Sequence, residues 1–168
     1  MKKTSQRILK PLLLTFLTSI AFANPIPQSK VHFSQPEKFI DFRTKIVLTE
    51  KDRNQLMDEL AQQIQTAIAK ILPSGQSMSI DFTNIDMAGY VYPSANDIRT
   101  VRQDADKSLL VFDYSIYDAE GNQIDQGHKR LINQHLSSIE HRSKRYEHSH
   151  FKYEIAMFSR WLKRYVKR

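Results

Sequence analysis

The chain has 168 residues, 26% of them charged, with a formal net charge of +7 and no cysteine. The absence of thiols excludes disulfide bracing and a cysteine-anchored lipoprotein, so a hydrophobic core must hold the fold by itself. The length suits one ordinary domain with a single core.

Lys2, Lys3, Arg7 and Lys10 precede an apolar run from Pro11 to Ala23 that ends in Ala21-Phe22-Ala23. A cationic start, a short apolar stretch and a small-x-small end predict a cleaved signal peptide over 1–23; the run is too short to span a bilayer comfortably. Cleavage after Ala23 leaves 145 residues, read as an extended segment over 24–48 and a single domain over 49–168. Export of a cysteine-free domain points to the periplasm of a Gram-negative bacterium, with secretion to the medium as the alternative. It argues against nucleic acid as a partner and leaves no transmembrane segment after cleavage. It also removes four positive charges and lowers the net charge to +3. The remainder is uneven: residues 24–127 carry 10 Lys/Arg against 15 Asp/Glu, and residues 128–168 carry 11 against 3. An acidic body with a basic end is an electrostatic feature in its own right.

Pro25, Pro27 and Pro36 keep the first part extended, with a short strand at Val31–Phe33 and a turn at Pro36–Asp41 that docks an aromatic. Thr49 opens a helix: its hydroxyl can accept a backbone N–H, and Glu50 and Asp52 suit the first turn. Leu56, Leu60, Ile64, Ala67, Ile68 and Ile71 form one apolar stripe until Pro73 and Gly75 stop it. Met78, Ile80 and Phe82 alternate with Ser79, Asp81 and Thr83, the pattern of a half-buried strand over 78–82. A loop over 84–93 and a short strand over 97–102 follow. Leu110, Phe112, Tyr114 and Ile116 mark one face of a strand over 109–117. Asp118 to Asn122 is a turn with Gly121 in the left-handed position, and 123–133 returns as the hairpin partner. The apolar parity changes between Ile124 and Leu131, which predicts a bulge near Gly127. Residues 137–149 are polar, basic and aperiodic. Over 150–166, Phe151, Ile155, Phe158, Leu162, Tyr165 and Val166 share one arc of a helix, with Lys152, Arg160, Lys163 and Lys167 opposite. These elements predict an α+β domain: a small, mainly antiparallel sheet of about four to five strands, with two amphipathic helices packed on one face.

Asp86-Met87-Ala88-Gly89 resembles the Asp-Leu-Ala-Gly signature of the domain of unknown function 3016 family of small exported proteobacterial proteins. The surroundings agree in order. Pro36, Phe39 and Asp41 are similar to the family's early Pro-x-x-Phe/Tyr-x-Asp. Asp97-Ile98-Arg99 is similar to its Asp-hydrophobic-Arg, and Tyr153, Glu154, Met157 and Trp161 to its closing Tyr-Glu-x-x-Met-x-x-x-Trp. Tyr90 and Asn133 stand where the family usually has acidic residues. The resemblance implies export and fold more than an activity, and it implies no cofactor. It singles out Asp86, Gly89, Asp97, Arg99, Glu154 and Trp161 as motif residues with a mainly structural role.

Three constellations carry chemical readings. Asp86 and Glu154 are the carboxylates around which a hydrolase-like site could form; the structural alternative has Asp86 bonding turn amides and Glu154 paired with Arg99 or Arg102. His141, His148 and His150 suit zinc, copper or nickel by donor type, but they stand among cations and lack a rigid fourth ligand. No Gly-x-Ser-x-Gly, phosphate loop or triad spacing is present. Arg142, Lys144, Arg145, Lys152, Arg160, Lys163 and Lys167 form the basic end. The reading that follows is a non-enzymatic, exported binding protein whose basic surface meets an envelope protein or another anionic surface. The last helix could also lie on a membrane, since Phe158, Trp161 and Tyr165 oppose its cations; packing on the sheet is the preferred use of that apolar arc.

Overall fold

The computed structural model describes residues 28–93 and 98–167; the predicted signal peptide over 1–23 and the motif residue Asp97 lie outside them. The sheet is built around two strands that alternate apolar and polar residues. β1 (Lys30–Phe33) lies parallel to β2 (Ser77–Asp86), and β2 pairs antiparallel with β5 (Ser108–Tyr117), which pairs antiparallel with β6 (Gln123–Asn133). A separate two-stranded ribbon joins β3 (Tyr90–Val91) to β4 (Arg99–Thr100). β2 extends four residues beyond the expected end at Phe82. The register against β5 shifts between Phe82 and Asn84, so Thr83 is an extra residue and Ile85 returns to the buried face. Reading strict alternation stops at such a bulge, although the strand does not.

Two long helices cover one face of the sheet. α1 (Glu50–Ile71) starts at a capping box: the Thr49 hydroxyl accepts from the Asp52 N–H, and the Asp52 carboxylate accepts from the Thr49 N–H. The Thr49 hydroxyl also donates to the Asp52 carboxylate (2.7 Å), and this bond, with Lys45 and the Thr49 N–H, holds the Asp52 carboxyl down at a pKa of about 2. The predicted stripe is buried from Leu56 to Ile68. α3 (Lys152–Val166) buries Ile155, Phe158 and Leu162 against α1 and β5. The aromatic rings run through the core as a chain: Phe33 stacks on Phe82, Phe82 meets Phe112 edge-on, and Phe112 meets Phe158 and Trp161. Phe39 and Phe42, from the stretch before α1, belong to the same core, and Phe42 stacks on Phe151.

Two expectations need correction. The segment over 137–149 is not aperiodic coil. α2 (Ser137–Ser143) and a 3-10 turn (Lys144–Tyr146) occupy it, and they pack on α3 beside the two helices that cover the sheet. Leu136, Ile139 and Ser143, at spacings of three and four, are buried, and Ser143 donates back to the Glu140 carbonyl. The hairpin bulge is at Ile124, beside the turn, and not near Gly127. Gly127 has another use. It faces Tyr114 across the ladder, and a Cβ there would come within 3.1 Å of the Tyr114 ring.

Candidate functional site

Two polar regions stand out, and they differ in how completely they are satisfied. The first surrounds the Asp86-Met87-Ala88-Gly89 turn. Gly89 has a φ of 90°, and a Cβ there would lie 2.4 Å from the Thr100 carbonyl oxygen, so only glycine fits. Arg99 reaches under the turn. Its guanidinium donates to the carbonyls of Met87 (2.6 Å), Ala88 (2.8 Å), Gly89 (3.2 Å) and Arg43 (2.7 Å) and to Asp41 Oδ2 (3.1 Å). From the other side, Glu154 on α3 accepts from the Ala88 N–H (2.8 Å) and the Ser108 hydroxyl (2.7 Å). Glu154 is 1% exposed, and burial pushes its carboxyl pKa up.

This arrangement corrects the expected pairing. Neither Arg99 nor Arg102 forms a salt bridge with Glu154; Arg99 serves carbonyls and Asp41, and Arg102 pairs with Asp106 at 2.8 Å. The carboxylate that holds the turn amide is Glu154, whereas Asp86 is the half-buried last residue of β2, its own pKa also raised by burial. Glu154 has no exposed oxygen for acid–base work on a substrate. Trp161 packs edge-on against Phe112 and Tyr114, at centroid distances of 5.1 and 5.4 Å. Gly89, Arg99, Glu154 and Trp161 therefore act on structure: they lock the turn to α3 and to the sheet.

The second region is open. α2, the 3-10 turn and the outer side of α3 enclose a pocket of about 210 Å³. Six cations ring it: Arg142, Arg145, Arg160, Lys163, Arg164 and Lys167, with no acidic residue in its lining. Tyr146 and Ser159 form its floor, their hydroxyls 3.1 Å apart. None of the six cations forms a salt bridge among the described residues. Arg160 is the most enclosed of them. Burial lowers its pKa, and Arg164 and Arg142 repel it further. An arginine does not release its proton in water, so Arg160 stays charged beside its neighbours. A pocket of this kind can take an anion, with guanidinium forks and ammonium groups as donors.

Of the seven basic residues predicted from sequence, the pocket gathers Arg142, Arg145, Arg160, Lys163 and Lys167. Lys144 is exposed outside it. Lys152 lies 3.7 Å from Glu140 and 4.7 Å over the Tyr153 ring. Sequence reasoning missed Arg164, which sits four residues after Arg160 and so on the same helical face, and it missed Tyr146 and Ser159 because α2 was not recognised. The histidines do not converge. His150 Nδ1 lies 2.7 Å from Glu59 Oε2, and the same Glu59 carboxylate accepts from the Ser149 hydroxyl and the His150 N–H. This ties the start of α3 to α1. His148 instead borders a separate cleft beside α1, and among the described residues no group of three or more metal-ligating side chains is placed to hold an ion.

The sequence profile of the family described as Protein of unknown function (DUF3016) matches residues 27–164. No curated protein matches the chain.

Proposed function

The chain belongs to the DUF3016 family, and on that footing we propose that it is an exported, periplasmic, non-enzymatic protein that binds an anionic component of the envelope in its six-cation pocket. The observation that carries this reading is the pocket itself: six cations, one of them enclosed, with no acidic side chain in the lining. Uncompensated like charge opposes folding, so a bound anion would relieve it. The cationic N-terminus and apolar run over 2–23 support export.

Co-sedimentation with vesicles of phosphatidylglycerol and phosphatidylcholine, at rising salt, tests the binding. Binding should require the anionic lipid and weaken with salt. Each cation near an anionic surface contributes about 1 kcal/mol, so Arg142→Gln with Lys163→Gln should bind roughly 30-fold more weakly. Binding that ignores both salt and the double substitution would sink the reading. Export has its own check: N-terminal sequencing of protein from the periplasmic fraction should begin at Asn24, and an unprocessed chain in the cytoplasm counts against it.

A further inference from the structure

The sheet ends in a long, open strand. β6 spans 11 residues, and among the described residues no strand pairs with its outer edge. From Asp125 to Asn133 it keeps unbroken register with β5, because its bulge lies back at Ile124. An edge strand leaves about half of its backbone N–H and C=O groups free to pair with another chain. The opposite edge, β1, is only 4 residues long. On the helix-facing side of β6, Asp125, Lys129 and Leu131 are only half-buried, and between them and α3 lies a groove of about 840 Å³.

The groove combines apolar surface with positive charge. Trp161 and Tyr165 wall it on the α3 side, and Leu131 lies opposite, while the exposed Ile132 borders it from the other face of the strand. Its cations are Lys129, Arg160 and Arg164, and Arg130 borders it from the other face of the strand. Its single acid, Asp125, is already engaged: it accepts from the Tyr165 hydroxyl, which holds its carboxyl below the usual range, and from the Tyr114 hydroxyl at 3.3 Å. The charge decides between occupants. A second copy paired antiparallel about Lys129 would set the run His128-Lys129-Arg130 against itself, and like charges across a strand pair destabilise it; a pairing about Gly127 would need Asp125, which is already engaged.

We propose that β6 takes up an extended, acidic segment of a partner protein as an added strand of the sheet, with alternate side chains entering the groove beside Trp161. Backbone pairing along β6 supplies affinity, the groove selects apolar or aromatic residues at every second position, and Lys129 and Arg130 select for acid. This surface is distinct from the proposed anion pocket: Lys129 and Arg130 do not line that pocket, although Arg160 and Arg164 border both.

A displayed library of random peptides of about 11 residues, the length of β6, selected on the full mature chain, tests the proposal. Recovered binders should be acidic, with an apolar or aromatic residue at alternate positions, and should slow hydrogen exchange of β6 amides at saturation. N-methylation of the peptide along one hydrogen-bonding edge should weaken binding at least roughly tenfold. The Lys129→Glu/Arg130→Glu variant, if its melting temperature is unchanged, should turn the selection toward basic peptides. Failure to recover binders, binders without acidic bias, unprotected β6 amides or indifference to N-methylation would each overturn it. Concentration-dependent dimers that protect β6 would show that a second copy is the occupant. Vesicle binding by the same double variant is unchanged if only the groove is at fault, so the two proposals fail separately.

Discussion

The turn at Gly89 and the basic face of α3 lie on one fold and treat charge in opposite ways. Beneath the turn, Arg99 is engaged by four carbonyls and Asp41, and Glu154 by an amide and a hydroxyl. Around the pocket of α2 and α3, six cations face one another without an acid. A buried polar group that is fully bonded specifies structure, whereas like charges gathered on an open face repel one another and stay available to an anion from outside. The motif residues Gly89, Arg99 and Glu154 thus sit in the first region, and the unpaired cations sit in the second.

The largest expected effect comes from opening the closed region. Glu154→Ala strands the Ala88 N–H and the Ser108 hydroxyl in the core, which should cost about 3 kcal/mol. For a domain of this size that is a fall in melting temperature of roughly 10 °C, readable by circular dichroism. Glu154→Gln keeps an acceptor oxygen and should lose much less. A Glu154→Ala protein as stable as the parent would remove the contrast between the two regions.

Gly89→Ala should rank next, at about 2 kcal/mol or more, because the added Cβ meets the Thr100 carbonyl in a left-handed backbone. Gly121 also has a positive φ, of 86°, but nothing lies within 4 Å of its added Cβ. Gly121→Ala should therefore cost clearly less, and the difference between the two measures the packing under the turn rather than the backbone term. Denaturant titration of both variants decides this.

How far the sequence disclosed each region follows from the range of its contacts. The capping box at Thr49, the stripe of α1 and the buried face of β5 depend on neighbours a few residues away, and all three are legible as periodicity. The bulges at Thr83 and Ile124 shift parity without a local signal, so one was missed and the other was displaced to Gly127. The partners of Glu154 come from residues 46 and 66 positions away, Ser108 and Ala88. From the sequence, Glu154 reads as a half-buried carboxylate in need of a donor; its full burial, and a turn amide rather than an arginine as the donor, come from the tertiary packing. The pocket was half visible, since the charges were evident, but α2 is what folds Arg142 and Arg145 back over α3. The buried spacing Leu136, Ile139, Ser143 was its signal, obscured by the charges in between.

Acidity separates the regions again, with a smaller effect. Burial raises the Glu154 pKa above its ordinary value of 4.5, so folding favours the protonated form. Its contribution is fully present below that value and is lost as pH rises through the raised one. Asp52 acts oppositely and lower down: held at about 2, it contributes above 3.8 and is lost as pH falls toward 2. Stability measured from pH 4.5 upward should therefore decline more in the parent than in Glu154→Gln, whose side chain does not titrate. Parallel curves in urea would show that Glu154 ionises freely and that the turn is less enclosed than its contacts indicate.

The smallest expected change in stability is the most demanding test. Arg160 is enclosed, carries charge, and has its ionised form disfavoured by burial and by Arg164 and Arg142. If it were a structural group like Arg99, Arg160→Gln would destabilise by kilocalories, as the loss of a bonded, partly buried charge does. If it is held against repulsion for a ligand, removing it relieves the other five cations, and the melting temperature should stay level or rise, within about 0.5 kcal/mol of the parent. The same variant should bind phosphatidylglycerol vesicles more weakly. Stability and binding would then move independently at Arg160, while Arg99→Lys, which breaks a planar fork serving four carbonyls, should lower stability. A large loss of stability at Arg160 would instead make the basic face a second structural node, and the pocket would lose its claim to a ligand.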